Sequence, residues 1–253
     1  MSTLMSILFV GLSLASTTWA DLQSDWDQIL NRYVVVHPDG VNRFDYGALR
    51  NNRPDRTRLE KYIRSLEQIP VSTLEPNAQF AYWANLYNAV TVRLILDEAP
   101  YRSIRQIRPR PWSTGPWDVN RVVVEGRKLS LDDIEHEVMR QRFEASQVHY
   151  AVNCASIGCP NLMARAWRAE TLEADLEAAA RAYINHPRGV TVTEDGLVLS
   201  RIYAWFREDF GDNEAGVLAH LGRYAEPELA ETLQSGIKID RYVYDWTLNR
   251  STP

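Results

Sequence analysis

The chain has 253 residues, 45% of them hydrophobic and 24% charged, a balance close to that of folded soluble proteins, which excludes disordered, collagen-like and low-complexity readings. A formal net charge of −5 leaves no basic excess to neutralise a run of phosphates or an anionic lipid surface, so neither a sequence-independent nucleic-acid binder nor a polybasic membrane-surface protein fits. The 2 cysteines are too few for a disulfide framework or a four-thiolate zinc site, yet they lie close together, at Cys154 and Cys159.

At the N-terminus, Leu4 to Ala15 is an apolar run too short to span a bilayer comfortably, and Thr18-Trp19-Ala20 sets small residues at the −3 and −1 positions of a cleavage site. Residues 1–20 are therefore expected to be a secretory signal peptide, with Asp21 as the first mature residue and 21–253 as one domain. No later run has membrane-spanning character, so the expectation is a periplasmic or secreted protein with no stable membrane insertion after cleavage. Such a compartment is oxidising, which bears on the cysteines.

In chain order, Leu22 to Tyr33 and Arg56 to Ile69 carry apolar residues at helical spacing and predict two amphipathic helices, separated by a loop around a short extended piece at 37–49. Ser72 to Leu96 is apolar on nearly every side and predicts a buried central helix. Its interruptions, Asn85 and Asn88, lie one turn apart; buried amides must find partners, so they either tie down neighbouring loops or line a binding site. Arg108 to Trp117 is a proline-bearing loop displaying Trp112 and Trp117, which pack it onto the core or face a ligand. Val119 to Val124 with the Gly126 turn predicts a short strand, and Ser130 with Asp133 forms the S-x-x-D start of a helix.

On that helix a rotation of 100° per residue puts Glu135 in the same stripe as Leu131, Ile134, Val138 and Arg142, with His136 on the flank beside Met139 and Phe143. An inward carboxylate needs a partner or a raised pKa: either an ion pair with an arginine such as Arg142, or an acid, base or orienting group in a cleft. The string from His136 to Arg140 begins like a zinc-protease helix, but Arg140 stands where the second histidine belongs, and that reading fails. Gln147 to Asn153 alternates as a strand and runs into the Cys154 to Pro160 loop.

Two readings of the cysteines stand. In an oxidising compartment the C-x4-C pair forms a short-loop disulfide. Alternatively Cys154, past the end of a core element near Glu135, His136 and His149, is an activated thiol nucleophile. No metal site has ligands at a recognised spacing, and no cofactor is implied.

The remainder reads as a helix over 171–184, a hairpin through Glu194-Asp195-Gly196, a short helix with Ile202, Trp205, Phe206 and Phe210, helices near 214–221 and 227–233, and a final strand over 237–246. Helices outweigh short strands without βαβ alternation, which makes the class α+β: a single, mostly helical domain with a small, largely antiparallel sheet.

The strings FAYWANLYNAVT (80–91), LSLDDIEHEVMR (129–140), VHYAVNCASIGCPNL (148–162), LSRIYAWFREDF (199–210) and YVYDWTLN (242–249) together resemble the DUF547 domain over roughly residues 40–250. The resemblance implies a bacterial envelope protein of undetermined activity, with relatives in plants. Its motifs fall on Asn85, Asn88, Glu135, His136, His149, Cys154, Ser156, Cys159, Pro160, Asp245, Trp246 and Asn249.

Two functions follow. One is a thiol hydrolase or acyltransferase with Cys154 as nucleophile, His136 or His149 as base, Glu135 as orienter, Asn88 or Asn153 at an oxyanion, and Asn85, Ser156, Trp112 and Trp117 toward the substrate. The other is a non-catalytic envelope binding or scaffold protein with a structural Cys154–Cys159 disulfide. In both, the ligand is an unidentified small molecule, peptide or envelope component, and nucleic acid is not a partner.

Overall fold

The structure, a computed structural model, describes residues 19–251; all but the end of the expected signal segment lies outside the described residues. Helix α1 (Trp19–Tyr33) leads into a two-stranded ribbon, β1 (Val34–Val35) with β2 (Arg43–Phe44), and then α2 (Tyr46–Asn51) and α3 (Arg53–Glu67). Sequence pattern alone does not reveal α2 inside the expected loop. Asp45 caps α2 by accepting from the Ala48 amide, and Asn52 caps α3 by accepting from the Asp55 amide, so two short-range polar caps divide a segment whose Gly and Asn residues read as loop. Asp55 is buried where α1 meets α3 and accepts from Arg32, Tyr33 and Arg58, which joins the two helices.

Helix α4 (Pro76–Glu98) is the centre of the larger core. Its residues from Phe80 to Val92 are all buried, as expected of a helix apolar on every side. Pro76 starts it without losing a hydrogen bond, and Ala99 ends it in the left-handed conformation. Helices α2 and α3 pack against it on one side. A hairpin of β3 (Val122–Val124) and β4 (Arg127–Leu129) follows, turning through Glu125 and Gly126, both at positive φ.

Ser130 and Asp133 then exchange the reciprocal bonds of a capping box, as expected. The helix they start is wound as a π-helix over Asp133–Met139 before ending in α5 (Arg140–Arg142). This widened winding corrects the 100° stripe: Arg142 leaves the face of Glu135 and is exposed, so the expected Glu135–Arg142 pair is absent.

The next segment is a second correction. Residues read as a strand form α6 (Ala145–Ala151), with extended backbone only from Val152. Ser146, Val148, His149, Tyr150 and Ala151 are all buried, and a short segment buried on all sides carries no period that separates strand from helix.

A smaller core is built by α7 (Leu172–Ile184), the sheet, and the helices around it. Strands β5 (Val190–Thr193) and β6 (Gly196–Ser200) form the expected antiparallel hairpin; after α8 (Ile202–Trp205), a 3-10 turn (Arg207–Phe210), α9 (Glu214–Tyr224) and α10 (Pro227–Gln234), strand β7 (Ile239–Val243) pairs with β6 in parallel. The fold is thus mostly helical α+β with small antiparallel and mixed sheets.

Between the cores runs the loop bearing the cysteines, and the C-terminal segment lies over it. The Ile157 amide donates to the Thr247 carbonyl at 2.8 Å, Gly158 to Asp245 at 2.9 Å, and Asn249 to Ala155 at 3.0 Å. A Cβ at Gly158 would stand 2.9 Å from the Asp245 nitrogen, so only glycine lets the two backbones approach this closely.

Candidate functional site

Two sets of buried polar residues meet at the cysteine loop. The first is a clamp of amides. Asn85 donates to the Trp167 carbonyl at 2.9 Å and accepts from the Trp167 amide at 3.0 Å; Asn88 donates to the Ala151 carbonyl at 3.0 Å and accepts from the Asn153 amide at 2.8 Å. Asn153 in turn donates to the Pro160 carbonyl at 2.7 Å and accepts from the Ala155 amide at 2.9 Å and from Asn249 at 3.2 Å; Asn249 also accepts from the Tyr46 hydroxyl at 2.7 Å. Of the two roles open to these asparagines, they fill the loop-tying one, and none of them lines the cleft. Ala155, held at φ +61 directly after Cys154, is the strained residue this clamp fixes.

The second set lines a cleft of about 170 Å³. Cys154, Cys159 and Pro160 form one side, Asp132 with Glu135 and His136 of the π-helix that follows it a second, and Trp117, Trp205, Tyr244 and Trp246 an aromatic third. Residues 132, 135 and 136, three and four positions apart, share one face at the start of this helix, and π-turns recur at functional sites.

Both cysteines are free thiols in the structure, not a disulfide. Cys154 is half-buried and Cys159 buried. The Cys154 amide donates to Cys159 Sγ at 3.1 Å, and the Tyr244 hydroxyl lies 3.2 Å from Cys154 Sγ and 3.0 Å from Cys159 Sγ. The two thiols titrate as a pair. Burial alone would raise Cys159, but hydrogen bonds from Cys154, Tyr244 and the backbone outweigh it and bring it to about 7; its hydrogen bond to Cys159, together with burial, pushes Cys154 up.

His149 does not bond either sulfur. Its ring stacks on Phe206 at 4.3 Å and its Nε2 lies 2.6 Å from Asp209 Oδ2. Burial works against ionisation of Asp209, but the His149 and Arg140 hydrogen bonds prevail and hold it at about 2, so it accepts and His149 Nε2–H donates. That leaves Nδ1 as the acceptor facing Glu135 Oε1, at 3.7 Å. Glu135, its side chain 12% exposed, is raised by burial to about 7, against the opposing pull of its bond with Tyr87. Asp209, His149 and Glu135 therefore form a line of three groups ending in a carboxyl that titrates near neutrality. His136, lowered to about 4 by burial and by Arg140, is a neutral imidazole beside Phe206.

Residues 71–184 match the family model described as "Protein of unknown function, DUF547". The chain carries a DUF547 domain. No curated protein and no solved structure matches the chain. The DUF547 match is narrower than the resemblance in the motifs: it spans α4 to α7 and so includes the π-helix, α6 and the thiol loop. Phe206, Trp205, Tyr244 and Trp246 reach the cleft from beyond it, and Asp209 acts on it through His149.

Of the residues singled out in the sequence, Cys154, Cys159, Glu135, His136, His149 and Trp117 line the cleft together. Ser156 is buried beneath the loop, with its hydroxyl 3.6 Å from Cys154 Sγ. Trp112 is 77% exposed and borders a separate hollow with Trp117. Asp209, Tyr244, Tyr87 and Arg140 are the site residues that sequence reasoning missed; Arg140 clamps Asp209 through Nε at 2.5 Å. The strings around 199–210 and 242–249 were the available signal, but nothing in linear order places them beside residue 154.

Proposed function

We propose that this DUF547 domain is a thiol-dependent hydrolase or acyltransferase with Cys154 as its nucleophile. The observation that supports it is the presence on one small cleft of a half-buried thiol and a carboxyl, Glu135, that titrates near neutrality. Cys159, the more acidic thiol, is the one ionised near neutrality; as the Cys154 sulfur forms a bond to the substrate carbonyl carbon its proton passes to the Cys159 thiolate, and protonated Glu135 gives its proton to the leaving group as that bond breaks. Water, or an acceptor hydroxyl or amine, then attacks the acyl carbon and gives its proton to the Glu135 carboxylate, while the Cys154 sulfur leaves and takes its proton back from Cys159. Both imidazoles lose the role of direct base on Cys154: His149 orients Glu135 from behind, and His136 is a neutral wall residue. The aromatic side suits an apolar acyl group.

The test uses activated esters. Incubation with p-nitrophenyl acetate and butyrate is expected to add one acyl group per chain, mapped to Cys154 by peptide mass, and Cys154→Ala is expected to abolish it. Absence of an adduct, or an adduct unchanged in Cys154→Ala, overturns the proposal. We further propose a periplasmic or secreted location, supported by the pattern of residues 1–20. N-terminal sequencing of protein recovered from its native compartment is expected to begin at Asp21; an intact Met1 would overturn that.

A further inference from the structure

Arg188 lies in the turn between α7 and β5, half-buried, without a carboxylate partner among the described residues. Its guanidinium donates to the Ile157 carbonyl at 3.4 Å and to Asn161 Oδ1 at 2.8 Å, so it grips both ends of the segment that carries Cys159. It also stacks over the Tyr183 ring at 5.4 Å, while Tyr183 bonds the Gly158 carbonyl at 2.7 Å. Its Nε is buried with no hydrogen-bond partner. A cation held this way is costly unless an anion lies close by.

The ionisable groups near enough to act on Cys159 are Cys154, Tyr244, Glu135, Tyr87, Tyr46 and Tyr183, besides Arg188. Every one of them except Arg188 is neutral or becomes negative on ionising. Once ionised each would oppose a thiolate; while neutral, Cys154 and Tyr244 favour one only through hydrogen bonds, and Arg188 is the single positive charge in the set. Nearby Asp39 is already engaged by Arg43 and His37.

We propose that Arg188 is a positioning residue for the thiol site: its unpaired guanidinium, set behind the cysteine loop, is the counter-charge of the Cys154–Cys159 pair when that pair holds one proton. The proposal deepens the thiol-enzyme reading and rests on it for its meaning in catalysis, but the thiol charge is measured without any substrate. Arg188 touches no reacting atom; it acts through Cys159.

The experiment follows the rate of alkylation by iodoacetamide against pH in the full chain, with near-UV circular dichroism to establish that each variant is folded. Arg188→Met and Arg188→Gln are expected to raise the midpoint by about one pH unit, as the loss of one close opposite charge does. Arg188→Lys keeps the charge but not the forked hydrogen bonds, and it is expected to keep the midpoint. A purely structural arginine predicts the reverse, with lysine as damaging as methionine. An unmoved midpoint in the folded neutral variants overturns the proposal. Should both neutral variants fail to fold, Arg188→Lys decides: an unchanged midpoint supports the charge role and a raised one overturns it. If the midpoint moves while activated esters leave no adduct, the hydrolase reading fails and the counter-charge stands.

Discussion

The amide clamp and the titratable wall lie on either side of the same loop, and both are built of buried polar side chains. In the clamp every asparagine both donates and accepts at 2.7–3.2 Å, Asn85, Asn88 and Asn153 against backbone groups and Asn249 against Asn153 and Tyr46. On the wall the pairing is incomplete: Glu135 meets an imidazole at 3.7 Å, and Cys159 shares its proton with Cys154. The contrast separates two uses of buried polarity. Satisfied networks fix a conformation, whereas groups whose burial and hydrogen bonds pull in opposite directions hold protons near the neutral range and are available for chemistry.

The anchor between the two regions offers the largest effect. Asp209, with a side chain 8% exposed, binds His149 and Arg140 together. Replacing it by alanine leaves Arg140 with the exposed Glu208 and a 3.4 Å contact to His136, and His149 without the bond at its Nε2. The expected loss is about 4 kcal/mol, from a buried ion pair stripped of one member. Urea unfolding measures it, and a loss below about 1 kcal/mol would mean that the wall is not anchored there.

The clamp itself comes next. Asn88→Ala leaves the Ala151 carbonyl with only its bond from Trp167 and the Asn153 amide without its acceptor. An expected cost of about 3 kcal/mol corresponds to two buried hydrogen bonds lost together. In the molecules that remain folded, the midpoint of thiol alkylation is expected to stay where it is. A shifted midpoint would erase the division between clamp and wall.

How much of this was legible in the sequence follows from the range over which each part is determined. The buried α4, the capping box at Ser130 and the β5–β6 hairpin are set by residues within a few positions of one another, and pattern reading finds them. The inward turn of Glu135 was legible too, but its partner was not. The stripe assumed α-helical winding, and the π-turn that moves Arg142 away is closed by packing rather than by local preference. Likewise His149 sits on a helix read as a strand, since uniform burial removes the period. Asp209 and Tyr244 stand 60 and 90 residues from their partners, a separation that only the tertiary fold closes. Trp112 stood out as a loop tryptophan, but residue type does not distinguish it from Trp117, which turns inward.

The last expected change has the opposite sign to the other two. Glu135 has a folded pKa of about 7, above the ordinary carboxyl value of 4.5 because burial disfavours its charge. Between those two values the folded chain holds a proton that the unfolded chain has released. Folding stability contributed by this group therefore falls as pH rises from about 4.5 to 7, and the full penalty persists above 7. His136 and His149 run the other way: burial lowers both, so the folded chain resists their protonation and loses stability as pH falls below the ordinary histidine range. Both effects are present in the parent and in Glu135→Gln alike, and to first order they cancel in the difference. Glu135→Gln is thus expected to be more stable than the parent by about 3 kcal/mol at pH 8 and equal to it near pH 4. Acyl transfer is expected to fall in the same variant, since an amide cannot give up the proton. Stability gained where activity is lost is the behaviour of a group held against its own preference for a chemical purpose. Thermal unfolding at the two pH values reads the difference, and a glutamine variant less stable than the parent at pH 8 would return Glu135 to the side of the clamp.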